Sequence, residues 1–112
     1  MTTTHADGSP LIRTIRTMTE VSMGSADLPE RELLLVRLAC LIATEASGTS
    51  YLYNLAGPAG PALTAPEVEA VLVAAAPLVG TARVVLAAER IAEALGYPIS
   101  VVDLMAADST GL

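Results

Sequence analysis

A lone carboxylate, Glu45, lies between an almost uncharged stretch of the sequence and the polar run Ser47 to Ser50. If this region is enclosed between subunits, burial would raise the pKa of Glu45 into the range of a general acid or base. The alternative is an exposed carboxylate just past the end of a helix, with no catalytic role. Glu45 is the first candidate for proton transfer in this sequence.

Arg37 is the only charged residue between Leu33 and Ala43. A guanidinium in such a position can bind a substrate carboxylate or the oxyanion of an enolate. The alternative is an ion pair across a subunit interface, with Glu32 or Glu67 as partner. Arg37 is therefore the second catalytic candidate.

Tyr51 and Tyr53 are the only aromatic residues near these candidates. On a short helix two residues this far apart face different ways, so one packs while the other offers its phenol to a ligand. A serine nucleophile is not expected, because the only histidine, His5, lies in the N-terminal lead.

The single cysteine, Cys40, excludes an intramolecular disulfide, a Cys-x-x-Cys redox pair and a metal site built on thiolates. Leucine and alanine neighbours favour a core position for Cys40 over a reactive thiol. We therefore expect no metal and no other cofactor.

The composition indicates one small domain that needs a partner copy. Of the 112 residues 53% are apolar, yet there is no Phe and no Trp, so a core of small aliphatic side chains is thin. The formal net charge of -6 argues against nucleic acid and anionic membranes as partners. We expect a homo-oligomer.

The N-terminal sequence lacks the order of a signal peptide, and no apolar run has the length of a membrane span. These features predict a cytoplasmic protein. The Ala- and Arg-rich, Lys-free composition is typical of a bacterial protein from a GC-rich genome.

Hydrophobic spacing predicts an all-α protein of about five helices, with a disordered lead at 1–9 and one helical domain over 10–112. One helix starts at Pro10, and Pro29 opens the next in its first turn. The segment 33–43 is apolar nearly all round, which is typical of a helix covered by another subunit.

The second half of the chain has clear helix boundaries. Residues 47–50 disfavour helix, 51–55 fit a short helical turn, and 57–61 predict a loop. Thr64 and Glu67 form a capping box, Pro77 ends or kinks the helix that follows, Thr81 caps the last long helix and Gly96 stops it. Glu89, Arg90 and Glu93 fit a solvated face, and 99–105 fits a short helix or an edge segment.

Three segments occur in a familiar order. They are Leu-Pro-Glu-Arg-Glu-Leu at 28–33, Leu-Thr-Ala-Pro-Glu-Val at 63–68 and Ala-Pro-Leu-Val-Gly-Thr at 76–81. This order resembles the carboxymuconolactone decarboxylase and alkylhydroperoxidase D superfamily over residues 28–96. The resemblance implies an all-helical, alkylhydroperoxidase D-like trimer or hexamer whose sites lie between helices, often near subunit contacts.

The peroxidase branch of that family carries Cys-x-x-Cys-x-x-x-His between the first two of these segments. Counting back from Leu63 places the three positions at Ser47, Ser50 and Asn54, whereas counting forward from Glu32 places them at Thr44, Ser47 and Tyr51. The first register is preferred because Ser-x-x-Ser matches the pair in size. It implies a small-molecule pocket lined by Ser47, Ser50 and Asn54; the alternative is a turn, with Asn54 as a helix cap.

Neither register contains a cysteine or a histidine, so thiol peroxidase chemistry is excluded. The resemblance then implies cofactor-independent proton transfer on a carbonyl or lactone compound by a lyase, isomerase or cyclase, for example in secondary metabolism. Glu45 would be the acid or base, Arg37 or Asn54 the oxyanion partner, and a tyrosine the pocket wall. The alternative is a non-catalytic ligand-binding or scaffold homologue.

Overall fold

The structure is a computed structural model that describes residues 8–57 and 60–97. In this part of the chain five helices and one pair of very short strands occur, so the all-α prediction is confirmed. The elements are α1 (Pro10–Ser25), α2 (Glu30–Ala43), α3 (Gly48–Leu55), β1 (Ala56–Gly57), β2 (Gly60–Pro61), α4 (Ala65–Val79) and α5 (Thr81–Leu95).

The chain divides into two units, one up to Leu33 and one from Leu34 onward. The first unit holds α1 and the first turn of α2, and the second holds the rest of α2 and everything that follows. The expectation of one helical domain over 10–112 stays a prediction. The seven residues of the lead that include His5, and the ambiguous segment 99–105, lie outside the described residues.

The helix predicted from Pro10 is confirmed. The Ser9 hydroxyl accepts a hydrogen bond from the Ile12 amide at 3.5 Å, and Pro10 lies in the first turn, where no amide proton is needed. The helix continues one residue past Gly24. None of its residues is buried.

One face of α2 forms the core of the second unit. Leu34, Leu38 and Ile42 are buried, whereas Val36 is 49% exposed and Cys40 is also exposed. The expectation that Cys40 lies in the core is wrong, because it is on the opposite side of α2 from Leu38 and Ile42. Cover of this open face by another subunit stays a prediction.

The core of the second unit joins four helices and the connections between them. Its other buried members are Tyr51, Leu55, Leu63, Val68, Leu72, Ala75, Ala87, Ala88, Ile91, Leu95 and Tyr97. The members from Val68 to Leu95 lie on the buried faces of α4 and α5, and Tyr51 and Leu55 lie on that of α3. Leu63 and Tyr97 lie outside the helices. This core positions α3 against α5.

Helix α3 is longer than the turn predicted at 51–55. Ser47 takes the N-cap position and accepts a hydrogen bond from the Ser50 amide at 3.2 Å, so 48–50 form the first turn. The residues that disfavour a helix interior therefore favour a helix start here. A Cβ at Gly48 would lie 3.5 Å from that of Ala94, so a small residue lets α3 pack closely on α5.

The segment 57–61, predicted as a loop, contributes to a minimal antiparallel pair. Ala56 faces Pro61 and Gly57 faces Gly60 across the two strands, and Pro58 and Ala59 between them lie outside the described residues. Gly60 has a φ of 128°, which only glycine adopts without strain. Only two residues connect β1 to β2, and a connection of this length lets two adjacent strands pair as a hairpin.

The capping box of α4 is confirmed: the Glu67 amide donates to the Thr64 hydroxyl at 3.3 Å, and the Thr64 amide donates to the Glu67 carboxylate at 2.7 Å. Pro77 does not end the helix, which runs on to Val79. Pro77 has no amide proton, so one backbone hydrogen bond is lost. The loss falls in the last turn of α4, where it costs least.

Gly80 occupies the N-cap position of α5, so Thr81 is the first helical residue and its predicted capping role is wrong. Gly96, with a φ of 71°, ends α5 in the left-handed conformation, as predicted. Within the described ranges no helix has both the length and the hydropathy needed to span a bilayer.

Candidate functional site

Helices α2 and α3 bring Arg37 and Asn54 together. Arg37 Nη2 donates a hydrogen bond to Asn54 Oδ1, and Asn54 Nδ2 donates to the Ser50 carbonyl oxygen at 2.8 Å. Both side chains are half-buried. In the described part of the chain the partner of Arg37 is thus an amide, not a glutamate.

Two buried polar atoms of the described residues have no hydrogen-bond partner: Arg37 Nε and the Tyr51 hydroxyl. Tyr51 is fully buried and stands three residues before Asn54 on α3, and the nearby positive charge that acts on its hydroxyl is that of Arg90. Leaving such a donor unpaired costs about 1–3 kcal/mol. An oxygen acceptor within hydrogen-bond distance of either atom would satisfy it.

The Tyr51 phenol is a donor at physiological pH. Burial raises its pKa from 10.0 to about 12, and the positive charge of Arg90 only partly opposes the rise. A neutral phenol can donate a hydrogen bond to a developing oxyanion, but it cannot remove a proton from a substrate.

The three positions of the preferred register lie together on α3. The Ser47 and Ser50 hydroxyls are 3.2 Å apart, and the Ser50 carbonyl accepts from Asn54. The alternative of a turn capped by Asn54 is not what forms: Ser47 is the N-cap of α3, and the Asn54 side-chain oxygen accepts from Arg37. In the second register, Thr44 lies just past the end of α2, and its hydroxyl donates to the Cys40 carbonyl oxygen at 2.8 Å.

Glu45 lies directly after α2 and has a φ of 56°. The Ala46 amide donates to the Leu41 carbonyl at 3.0 Å, and the Glu45 amide donates to the Ile42 carbonyl at 3.3 Å. These two bonds form a Schellman motif, whose left-handed position is usually a glycine. The sequence thus places a glutamate where the backbone turns sharply out of the helix.

The Glu45 side chain is exposed in the single chain. Its Oε2 atom lies 3.1 Å from Arg83 Nε, and both side chains are about half exposed. In the described residues no hydrogen bond links Glu45 to Arg37 or Asn54. Its enclosure by another subunit, and with it the role of acid or base, stays a prediction.

Arg90 was missed by sequence reasoning, which assigned it to a solvated face. Its Nη1 atom donates to the carbonyl oxygens of Glu45 and Ala46, at 2.9 and 3.0 Å. The side chain thereby holds the α2–α3 connection against α5. The one available signal was its place directly before Ile91, at the edge of the buried stripe of α5.

The prediction that the two tyrosines face different ways is confirmed, since Tyr53 is 45% exposed and Tyr51 is buried. Among residues 8–57 and 60–97, no three His, Cys, Asp or Glu side chains come together in a group that could hold a metal ion. The two hydrogen bonds and the two unpartnered atoms single out Arg37, Asn54, Ser50 and Tyr51 as the candidate site, called the Arg37 cluster below.

A scan against models of known protein families, a search of curated proteins and a search of solved structures each found no match to this chain.

Proposed function

We propose that the chain binds a small carbonyl or lactone compound at the Arg37 cluster and acts on it by cofactor-independent proton transfer, as a lyase, isomerase or cyclase. It does so as a cytoplasmic homo-oligomer of the carboxymuconolactone decarboxylase-like type, a trimer or hexamer. The observation that carries this proposal is the pair of buried, unpartnered polar atoms, Arg37 Nε and the Tyr51 hydroxyl.

The donor set suits an enolate. When a proton leaves the carbon next to a carbonyl group, the negative charge moves to the carbonyl oxygen. A guanidinium and a neutral phenol stabilise that charge, and more strongly in a buried site than in water. The Arg37 cluster supplies both groups.

Glu45 is the proposed acid or base. Its carboxylate would take the proton from the substrate carbon and return it to another atom of the same molecule. This role requires that a second copy encloses Glu45 and displaces or accommodates Arg83, its partner at 3.1 Å.

A second candidate function is ligand binding without catalysis. The exposure of Glu45 and its ion pair with Arg83 favour it, since the carboxylate contacts Arg83 and solvent and has no hydrogen bond to the Arg37 cluster in the described residues. The two candidates share the Arg37 cluster and differ only in the role of Glu45.

Deuterium uptake in D₂O separates them. Levulinate and α-angelica lactone are incubated with the purified protein, and exchange at the carbon next to the carbonyl is followed by NMR. We expect exchange with the wild type and a loss of at least 100-fold in Arg37→Met, whereas Arg13→Met, on α1, stays at the wild-type level.

Glu45→Gln decides the mechanism. Loss of exchange with retained binding, measured by calorimetry, supports the enzyme. Exchange that survives Glu45→Gln contradicts the acid or base assignment, and binding that survives Arg37→Met contradicts the site itself.

A further inference from the structure

Two arginines of α5 hold Glu45 at two different points. Arg90 Nη1 donates to the carbonyl oxygens of Glu45 and Ala46 at 2.9 and 3.0 Å, so it binds the main chain. Arg83 Nε lies 3.1 Å from Glu45 Oε2, so it binds the side chain. Because the two arginines are seven residues apart, they lie on one face of α5. This helix therefore contacts both the backbone and the carboxylate of the proposed acid or base.

The main-chain contact falls at a strained turn. Glu45 has a φ of 56°, in the left-handed region that a glutamate does not adopt freely. The Ala46 amide donates to the Leu41 carbonyl and closes the turn from the side of α2. Arg90 binds the same turn from the side of α5, through a charged donor that makes a stronger hydrogen bond than a neutral one. The direction in which the Glu45 side chain leaves the backbone thus depends on Arg90.

The part of α5 that carries Arg90 is closely packed. A Cβ at Gly48 would lie 3.5 Å from the Cβ of Ala94 and 3.9 Å from the Arg90 carbonyl oxygen, so the first turn of α3 lies directly on α5 here. Ile91, the next residue along α5, is fully buried. The guanidinium of Arg90 therefore reaches the α2–α3 connection from a firmly held backbone.

Arg90 is also near Tyr51. Its positive charge acts on the Tyr51 hydroxyl, where it partly opposes the rise in pKa that burial causes. That hydroxyl is buried and has no hydrogen-bond partner among the described residues. Arg90 is therefore a charged residue that contacts Glu45 and also lies near the proposed oxyanion donor.

We propose that Arg90 is a positioning residue for the proton transfer, because it fixes the main chain from which the Glu45 carboxylate extends. This role rests on the proposed function, in which Glu45 is the acid or base. A displacement of about 1 Å in a catalytic group can lower a rate about 100-fold. Loss of Arg90 therefore slows proton transfer and leaves in place the Arg37–Asn54 contact at which the compound binds.

Substitution of Arg90 separates rate from binding. Deuterium exchange into saturating levulinate gives the rate constant, and calorimetry gives the Kd for levulinate. We expect Arg90→Met to lower the rate constant at least tenfold with a Kd within threefold of the wild type, whereas Arg90→Lys, which keeps a cationic donor, recovers most of the rate. Glu89→Gln, at the exposed neighbouring position of α5, is the matched control and keeps the wild-type rate.

Far-UV circular dichroism verifies that each variant is folded, and Arg90→Gln replaces Arg90→Met if the latter is not. An unchanged rate constant, a loss that appears wholly in the Kd, or an Arg90→Lys variant as slow as Arg90→Met would overturn the proposal. A wild type that shows no exchange contradicts the proposed function instead.

The anchoring of the turn is also tested without a substrate. Amide hydrogen exchange at Ala46, followed by NMR, reports how often the turn opens, because this amide donates to the Leu41 carbonyl. We expect exchange at least tenfold faster in Arg90→Met than in the wild type, and a change of less than threefold in Arg83→Met, which loses only the side-chain contact. Equal exchange in Arg90→Met and the wild type would overturn the role of Arg90, whether or not the protein acts on levulinate.

Discussion

At the scale of single residues, Glu45 combines a backbone role with a proposed chemical one. Its left-handed φ of 56° costs an L-residue about 1–2 kcal/mol, and glycine almost nothing. Glu45→Gly and Glu45→Ala both remove the ion pair with Arg83, but only glycine removes the strain.

We therefore predict that Glu45→Gly is more stable than Glu45→Ala by about 1 kcal/mol. Urea unfolding of the two variants measures the difference. Equal stability, or a more stable alanine variant, would contradict the left-handed turn at the end of α2.

We predict that Tyr51 makes the folded chain lose stability at alkaline pH. Its folded pKa of about 12 lies above the ordinary 10.0, so the unfolded chain loses this proton more easily. The resulting stabilisation is complete below pH 10 and is lost as the pH rises through 12. The whole effect is on the order of 2 kcal/mol.

Urea unfolding at intervals from pH 8 to pH 12 tests this prediction. Tyr51→Phe should lose less stability over this range than the wild type, and Tyr53→Phe controls for the loss of an exposed phenol. Tyr97, whose pKa burial also raises, remains in both variants and leaves a residual slope. Wild-type and Tyr51→Phe curves of equal steepness would contradict the burial of Tyr51.

Residue types and local spacing identified Arg37 and the tyrosine pair as unusual, because a lone charge in an apolar helix and two phenols in an aromatic-poor chain need an explanation. They could not identify the Arg37–Asn54 bond or which tyrosine is buried. Those depend on how α2 and α3 meet, which no local pattern encodes.

At the scale of elements, Arg90 of α5 holds the connection between α2 and α3. It donates to two carbonyl oxygens that follow α2, whereas Arg83 of the same helix makes an exposed ion pair. Hydrogen bonds from a charged group to fixed backbone acceptors stabilise more than exposed ion pairs do.

We predict that Arg90→Met lowers the free energy of unfolding by roughly 1.5–3 kcal/mol, and Arg83→Met by less than about 1 kcal/mol. Thermal and urea unfolding of both variants measure the two losses. A larger effect at Arg83 would contradict the role given to Arg90.

The helix boundaries that local chemistry sets were predictable: the start at Pro10, the capping box at Thr64 and the stop at Gly96. The errors arose where a residue has two local uses. Serine and glycine at 47–50 start a helix as readily as they break one, and Gly80 takes the cap position that Thr81 fits equally well.

At the scale of the whole molecule, the composition predicts a homo-oligomer. A thin core without Phe or Trp and an open apolar groove between α2 and α4 are the observations on which the proposed oligomer rests. The account therefore joins a proposed homo-oligomer to a small-molecule site at the Arg37 cluster.

Native mass spectrometry of the purified full chain tests both parts in one spectrum. The account predicts a species of several 11.5 kDa chains that carries the added mass of a small molecule, and the loss of that mass in Arg37→Met. A wild-type monomer without added mass, or a bound mass that Arg37→Met retains, would contradict it.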